Sequence, residues 1–198
     1  MTTKNKKKEV EIKVELDRKD ISTIKNELKK LGFRLIAKQS FETTFGFFTP
    51  DGSSIDRGIF PRIKVDASGA WLTVKVKKEQ SKKYFKRTEF NLKVQDVDGA
   101  RDVLKVLGYE KERIFEKFRD TYYDQKQKVE VTIDTLPFGY YMEIEGQSLK
   151  IEDMLKRLGL NGRERIVRAY LGVYDDWRKK HGVKNENAVF VKSKNKTF

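Results

Sequence analysis

Along most of its length this chain alternates apolar with charged residues at period two, and the acids and bases are sorted by position. Val10, Ile12, Val14 and Leu16 interleave with Glu9, Glu11, Lys13 and Glu15, the pattern of a strand with one apolar face. Ile63 is flanked by Arg62 and Lys64. Leu72, Val74 and Val76 stand against Trp71, Thr73, Lys75 and Lys77, and Phe90, Leu92 and Val94 against Glu89, Asn91 and Lys93. Phe118 lies between Lys117 and Arg119, Val129, Val131 and Ile133 alternate with Glu130, Thr132 and Asp134, and Met142 and Ile144 with Glu143 and Glu145. Carboxylates gather on the first strand and the last two, Lys and Arg on the middle ones. A sheet with one wet face has no need to sort its charges in this way. Closed into a barrel, eight such strands turn their charged faces inward and their apolar faces outward beneath helices. A lumen of that composition is satisfied by a polyanion together with a metal ion.

The pattern predicts strands at about 9–16, 38–48, 59–66, 70–78, 84–95, 113–123, 127–135 and 139–146, with turns at Pro50-Asp51-Gly52, Ala67-Ser68-Gly69 and Pro137-Phe138-Gly139. Between them, Asp20 is placed to cap a helix with Ile21, Ile24, Leu28 and Leu31 on one side, stopped by Gly32. Ala100, Val103, Leu104 and Leu107 form a second apolar face, stopped by Gly108. Leu-Lys-Lys-Leu-Gly-Phe at 28–33 echoes Leu-Lys-Val-Leu-Gly-Tyr at 104–109, and Leu-Lys-Arg-Leu-Gly-Leu at 155–160 is a third helix end. Two strand–helix halves therefore read as an internal pseudo-repeat. A long amphipathic helix is expected at about 163–181, with Ile166, Tyr170, Val173, Tyr174 and Trp177 on one side. The fold class is α+β, with one domain over 9–182. Residues 1–8 and 183–198 read as basic tails, although Ala188-Val189-Phe190-Val191 can dock as a short strand.

Composition narrows the chemistry. There is no Cys and one His, so thiol chemistry and multi-histidine metal centres are excluded. His181 follows Arg178-Lys179-Lys180 at a basic helix end and reads as a surface residue. The 44 Lys and Arg against 30 Asp and Glu give a net charge of +14, which predicts attraction to polyanions without choosing among them. Residues 1–8 are polar, no apolar core follows them, and no later stretch is long enough to span a membrane. The expectation is a soluble cytoplasmic protein, monomer or homodimer.

These residues resemble a known family, the CYTH enzymes or triphosphate tunnel metalloenzymes, which include class IV adenylyl cyclases, thiamine triphosphatases and inorganic tripolyphosphatases. The family's ExExK signature stands here as Glu9-Val10-Glu11-Ile12-Lys13. In family order follow Arg62-Ile63-Lys64, the lysine strand Leu72-Thr73-Val74-Lys75-Val76-Lys77, Arg87-Thr88-Glu89 for RxE, and Lys117-Phe118-Arg119 for KxR. Ile133-Asp134, Gly139 and Glu143-Ile144-Glu145-Gly146 resemble the closing acidic strands. The sequence departs from the family pattern at Glu42-Thr43-Thr44-Phe45-Gly46-Phe47-Phe48, where an acid followed by Tyr-Phe is common, and at Lys64, where many relatives carry Arg.

The resemblance implies an eight-stranded antiparallel closed barrel, the triphosphate tunnel, with flanking helices. It implies that Glu9, Glu11, Asp134, Glu143 and Glu145 hold Mg²⁺ or Mn²⁺, hard cations suited to carboxylate oxygens. Lys13, Arg62, Lys64, Lys75, Lys77, Arg87, Lys117 and Arg119 would cradle the triphosphate, with Glu11 and Lys75 as the catalytic pair. Glu89, Glu130 and Lys93 share the inward parity and read as lumen ion pairs, while Trp71, Tyr122, Tyr123 and Tyr141 read as packing residues. The activity implied is metal-dependent hydrolysis of an organic or inorganic triphosphate, such as ATP, thiamine triphosphate or tripolyphosphate. The alternatives are a class IV adenylyl cyclase making cyclic AMP from ATP, and a non-catalytic protein binding polyphosphate or RNA. Nucleic acid is otherwise expected to bind only nonspecifically.

Overall fold

A computed structural model describes residues 6–77 and 83–191. Eight strands close into an all-antiparallel barrel: β1 (Lys6–Leu16), β2 (Arg34–Phe48), β3 (Ile59–Asp66), β4 (Gly69–Lys77), β5 (Phe85–Val94), β6 (Lys111–Asp124), β7 (Val129–Leu136) and β8 (Gly139–Glu145). Around the barrel the order is β1-β5-β4-β3-β2-β6-β7-β8, and β8 pairs back onto β1. Helices α1 (Asp20–Lys30), α2 (Ser53–Asp56), α3 (Val97–Val106), α4 (Ser148–Arg157) and α5 (Tyr170–Lys180) lie outside the strand ladder. Among the described residues no helix is long and apolar enough to cross a membrane.

The alternation read from the sequence is what closes the ring. Ile12, Val14, Val131 and Ile144 point outward and are buried against α1 and α4, whose Ile24, Leu28, Ile151, Met154 and Leu155 complete that core. Each such side chain contributes about 1.5–3 kcal/mol on full burial. A smaller cluster of Phe47, Ile63 and Leu104 seats α3 on the opposite wall. The three Leu-Gly helix ends share one stop device. Gly32, Gly108 and Gly159 all have positive φ, and the next residue donates its N–H back to Leu28, Leu104 and Leu155 respectively. This is the six-to-one bond of a Schellman cap, in which only glycine turns left-handed without penalty.

Four expectations need correction. Lys6, Lys7 and Lys8 belong to β1, where they pair with Phe90, Glu89 and Thr88, so the basic N-terminal segment ends before Lys6 and residues 1–5 fall outside the described residues. The segment after 183 docks as far as Phe190: Ala188 bridges Phe115 on β6 and is buried, and Phe190 N–H donates to Glu116. The remainder, 192–198, is again outside the described residues. The long helix starts at Tyr170 rather than near 163. Ala169 is extended (φ −68°, ψ 155°), and upstream the Ile166 N–H bonds the carbonyl of Lys13, so this stretch is spent crossing one end of the barrel. Asp20 is the first helical residue of α1 and makes no capping bond through its side chain.

Candidate active site

The inward side chains converge on a cavity of about 180 Å³ inside the barrel. Glu9, Glu11 and Lys13 reach it from β1, Arg62 from β3, Lys75 from β4, Arg87 and Glu89 from β5, Lys117 and Arg119 from β6, Glu130 and Thr132 from β7, and Glu143 and Glu145 from β8. With Lys7, seven cationic and six anionic side chains line one small space. Most are as buried as the apolar core: Glu11 is 4% and Lys13 2% exposed. Burying charge at this density is costly unless every group is paired, and the pairs are explicit. Lys75 Nζ stands 3.1 Å from both carboxylate oxygens of Glu9 and also meets Glu89. Arg87 donates to Glu11 at 2.8 Å and lies 3.3 Å from Glu9. Lys13 meets Glu143 at 3.1 Å and donates to the Arg168 carbonyl at 3.0 Å.

Register explains the crowding of acids. Glu11 lies opposite Glu145, and Glu145 opposite Glu130, and like charges facing across antiparallel strands repel. Burial, together with Glu9 and Glu143, pushes the Glu11 carboxyl up. Burial lifts Glu145 to about 7 despite Lys7, with Glu9 and Glu130 adding to the rise. Burial also raises Glu143, yet Lys13, Arg119 and Lys117 together hold it well below the usual range. Burial and the neighbouring Arg62 and Arg87 depress Lys75.

Among the described residues four buried polar atoms on the cavity wall have no hydrogen-bond partner: Arg62 Nε, Arg87 Nε, Glu89 Oε1 and the Thr132 hydroxyl, and of these Arg87 Nε and Glu89 Oε1 have ion-pair neighbours in Glu9 and Lys75. Donors left without partners inside a charged cavity are what an anion would satisfy. Hard-oxygen carboxylates facing one another are likewise the donor set a divalent cation takes. Among the described residues no three acids are already gathered to hold a metal ion, and Glu9, Glu11, Glu143 and Glu145 each pair with Lys or Arg. The carboxylates of Glu9, Glu11, Glu143 and Glu145 fit Mg²⁺ or Mn²⁺ in chemistry and face one cavity.

Three expected site residues stand apart from the cavity. Asp134 is fully buried behind it, accepting hydrogen bonds from Arg119 Nε at 2.6 Å, from Arg119 Nη2, from Tyr170 Oη at 2.7 Å and from Lys117 at 3.4 Å. Its oxygens are saturated, so it anchors two cage bases instead of facing a metal. Lys64 pairs with Asp66 at 2.7 Å, and Lys77 lines a neighbouring cavity. Each sits two residues along its strand from a cage residue, which keeps the inward parity but moves the side chain roughly 6–7 Å along the barrel.

No family model matches the sequence. A curated protein of Methanocaldococcus jannaschii, provisionally named adenylate cyclase MJ0240, is 29% identical over 175 residues, covering 82% of this chain and 96% of its own. Among solved structures, PH1819 of Pyrococcus horikoshii matches at TM-score 0.65 and 25% identity, covering 85% of this chain and 98% of that one. Hippeastrum HpAC1, reported as a provisional adenylyl cyclase with a dominant triphosphatase activity, matches at TM-score 0.60 and 16% identity over 85% of this chain and 95% of that one. In its signatures and its closed barrel the chain is similar to the CYTH superfamily.

Beyond the CYTH signatures, the cavity contains residues that sequence reasoning passed over. Thr132 was visible as an inward position between Glu130 and Asp134, and only its missing partner distinguishes it. Tyr170 was read as one side of a helix. It closes one end of the tunnel, with Lys13 Nζ 4.1 Å and Lys117 Nζ 5.5 Å from its ring centre. Glu42, on the strand that departs from the family pattern, holds Lys117 at 3.3 Å. Glu89 and Glu130 line the cavity as expected of lumen acids, Tyr122 and Tyr141 are buried packing residues, and His181 stacks on Trp177 at the surface.

Proposed function

We propose that this protein is a divalent-metal-dependent phosphohydrolase that binds a triphosphate in its tunnel. The observation that carries the reading is the buried cage itself. Seven cations and six acids leave the cavity almost neutral, so a triphosphate entering alone would leave the acids uncompensated, and one entering with a divalent cation restores the balance. Arg62, Arg87, Lys75, Lys117 and Arg119 would bind the phosphate oxygens, the arginines through planar forks that match them. Glu9, Glu11, Glu143 and Glu145 would hold Mg²⁺ or Mn²⁺. Such a cation, when bound, neutralises charge developing on the transferred phosphoryl group.

Phosphoryl transfer asks the protein mainly for position and charge. The strand-held arginines would align the phosphate chain. Glu11, its carboxyl pushed up by burial and by Glu9 and Glu143, is suited to take a proton from an attacking water, and Lys75 to neutralise the leaving oxygen. The same cage serves cyclisation if a ribose hydroxyl replaces the water, and the name of the M. jannaschii relative favours that second reading. Binding of RNA or polyphosphate to the outer surface draws no support from these cations, most of which are buried.

Incubating the protein with ATP, thiamine triphosphate and tripolyphosphate in Mg²⁺ or Mn²⁺ while following orthophosphate and cyclic AMP tests the proposal. Orthophosphate release that Glu11→Gln abolishes is expected. Cyclic AMP as the main product would overturn hydrolysis in favour of cyclisation.

A further inference from the structure

Two helical layers cover the outside of the barrel, and β5 lies in the gap between them. The layer of α1 and α4 packs on β1, β7 and β8, while α3 packs on Phe47, Ile63 and Leu72 of β2, β3 and β4. The outward side chains Phe90 and Leu92 of β5 are left 44% and 58% exposed. Register sets Phe90 beside Val74 and Leu92 beside Leu72, so the bare stretch begins where the cover of α3 ends.

The helix itself extends that stretch. Arg101 fixes which way α3 is turned: it donates to both oxygens of Glu112 on β6, at 2.9 and 2.8 Å, and its guanidinium lies 5.1 Å from the centre of the Phe45 ring on β2. With 3.6 residues per turn, Val103 and Leu107 fall about 200° and 240° round the helix from Arg101. They therefore stand on the flank turned toward β4 and β5, with Val106 on the crest. Val103, Val106 and Leu107 are 59%, 87% and 66% exposed. Single exposed apolar residues are ordinary, but five in one stretch, on a chain with 37% charged residues, mark an interaction surface.

The two rims of this face differ in charge. On the β1 side stand Lys6 and Lys8, both exposed, with the Lys6 ammonium 5.7 Å from the Phe90 ring centre. Past Val106 stand Asp98 and Asp102, whose side chains are 87% and 76% exposed. Their helical neighbours hold them weakly: Arg101 is already taken by Glu112, and Lys105 lies 3.5 Å from Asp102. We propose that this face pairs with the same face of a second copy in a two-fold dimer. A two-fold axis through its centre lays bases against acids at both rims, so that Lys6 and Lys8 of each copy meet Asp98 and Asp102 of the other. With β1 on one side of β5 and β4 on the other, the face offers side chains rather than the strand edge an extended peptide needs. Its acidic rim repels an anionic lipid surface. Exposed ion pairs contribute little affinity, so the apolar seam holds the dimer and the rims fix its orientation. The inference is independent of what the tunnel binds.

Sedimentation velocity of the full chain over a concentration series tests this. An interface at the small end of the specific range dissociates on the order of micromolar, so the dimer should grow in across about 1–100 µM. Leu92→Lys and Leu107→Lys, both at exposed positions, should each weaken association about tenfold or more, because the new charge is buried against hydrocarbon without a partner. Leu149→Lys, on α4 and 84% exposed, should leave association unchanged. Lys8→Glu and Asp102→Lys should each weaken it about threefold, and the two together in one chain should restore it. A chain that stays monomeric at about 100 µM, or a dimer that survives Leu92→Lys and Leu107→Lys, would overturn the assignment. Charge reversals that weaken the dimer singly and are not rescued in the double variant would overturn the two-fold arrangement.

Discussion

Asp134 separates two accounts of the barrel. The family resemblance makes it a metal ligand, while the geometry makes it the buried counter-charge for Arg119 and Lys117. Asp134→Asn keeps the shape and removes the charge. Asp134 is 0% exposed, and four hydrogen bonds, two from Arg119 and one each from Lys117 and Tyr170, end on its oxygens. Removing one partner of a buried ion pair costs about 3–5 kcal/mol, because the other charge stays behind in a poor solvent. Arg119 retains Glu143 and Lys117 retains Glu42, and the asparagine keeps one acceptor oxygen, so the lower end, about 3 kcal/mol, is expected. In a chain of this length that is a fall in Tm of about 6–12 °C. The measurement is thermal and urea unfolding without metal, then with saturating Mg²⁺. The anchor account expects the loss in both conditions, with the metal-dependent rise in Tm preserved. A variant within about 1 kcal/mol of the parent without metal, but no longer stabilised by Mg²⁺, would refute it and return Asp134 to the ligand set.

Other outcomes follow from the same geometry. Burial raises the Glu42 carboxyl, but Lys117, Arg119 and Lys64 draw it down to about 2; a carboxyl lowered on folding stabilises above its unfolded value of 4.5 and loses that contribution as pH falls toward 2. Glu42→Gln should therefore cost about 3 kcal/mol at pH 6 and about 1 kcal/mol at pH 3, read from urea midpoints, and a difference independent of pH would contradict the pairing. A methyl group on Gly46 would sit 2.9 Å from Phe60 Cζ and 3.3 Å from Leu171 Cδ1, so Gly46→Ala should destabilise by about 1–3 kcal/mol; a neutral effect would mean that Phe60 does not lie across that wall. EDTA should abolish triphosphate turnover and Mg²⁺ or Mn²⁺ restore it, and turnover that persists in chelator would refute the metal requirement.

Period-two patterning made most of the architecture readable before any coordinates. Val10 to Leu16 told which residues face helices and which face the lumen, and parity holds along the whole of β3, β4 and β8. Parity reports a face, not a depth. Glu130, Thr132 and Asp134 share one face of β7, yet the first two line the cavity and the third is sealed behind Arg119. Strand stagger decides which, and it is set by the closing of the ring rather than by any local residue. The same limit applies to Lys64 and Lys77. Tyr170 was invisible as a tunnel residue for a different reason: its helical spacing with Val173, Tyr174 and Trp177 is real, but nothing nearby in sequence says that Lys13, on the first strand, waits beneath its ring.

The strand order has a consequence for how the protein is made. β1 leaves the ribosome first, yet its two neighbours, β5 and β8, are Phe85–Val94 and Gly139–Glu145. At about 5–20 residues per second, β1 waits on the order of ten seconds for the last of them. Through that interval it is an unpaired edge, and its Glu9, Glu11, Lys13 and Glu15 act as the inward-facing charges that discourage pairing with other nascent chains. The charges read as a binding cage in the finished barrel thus also protect the half-made one from aggregation.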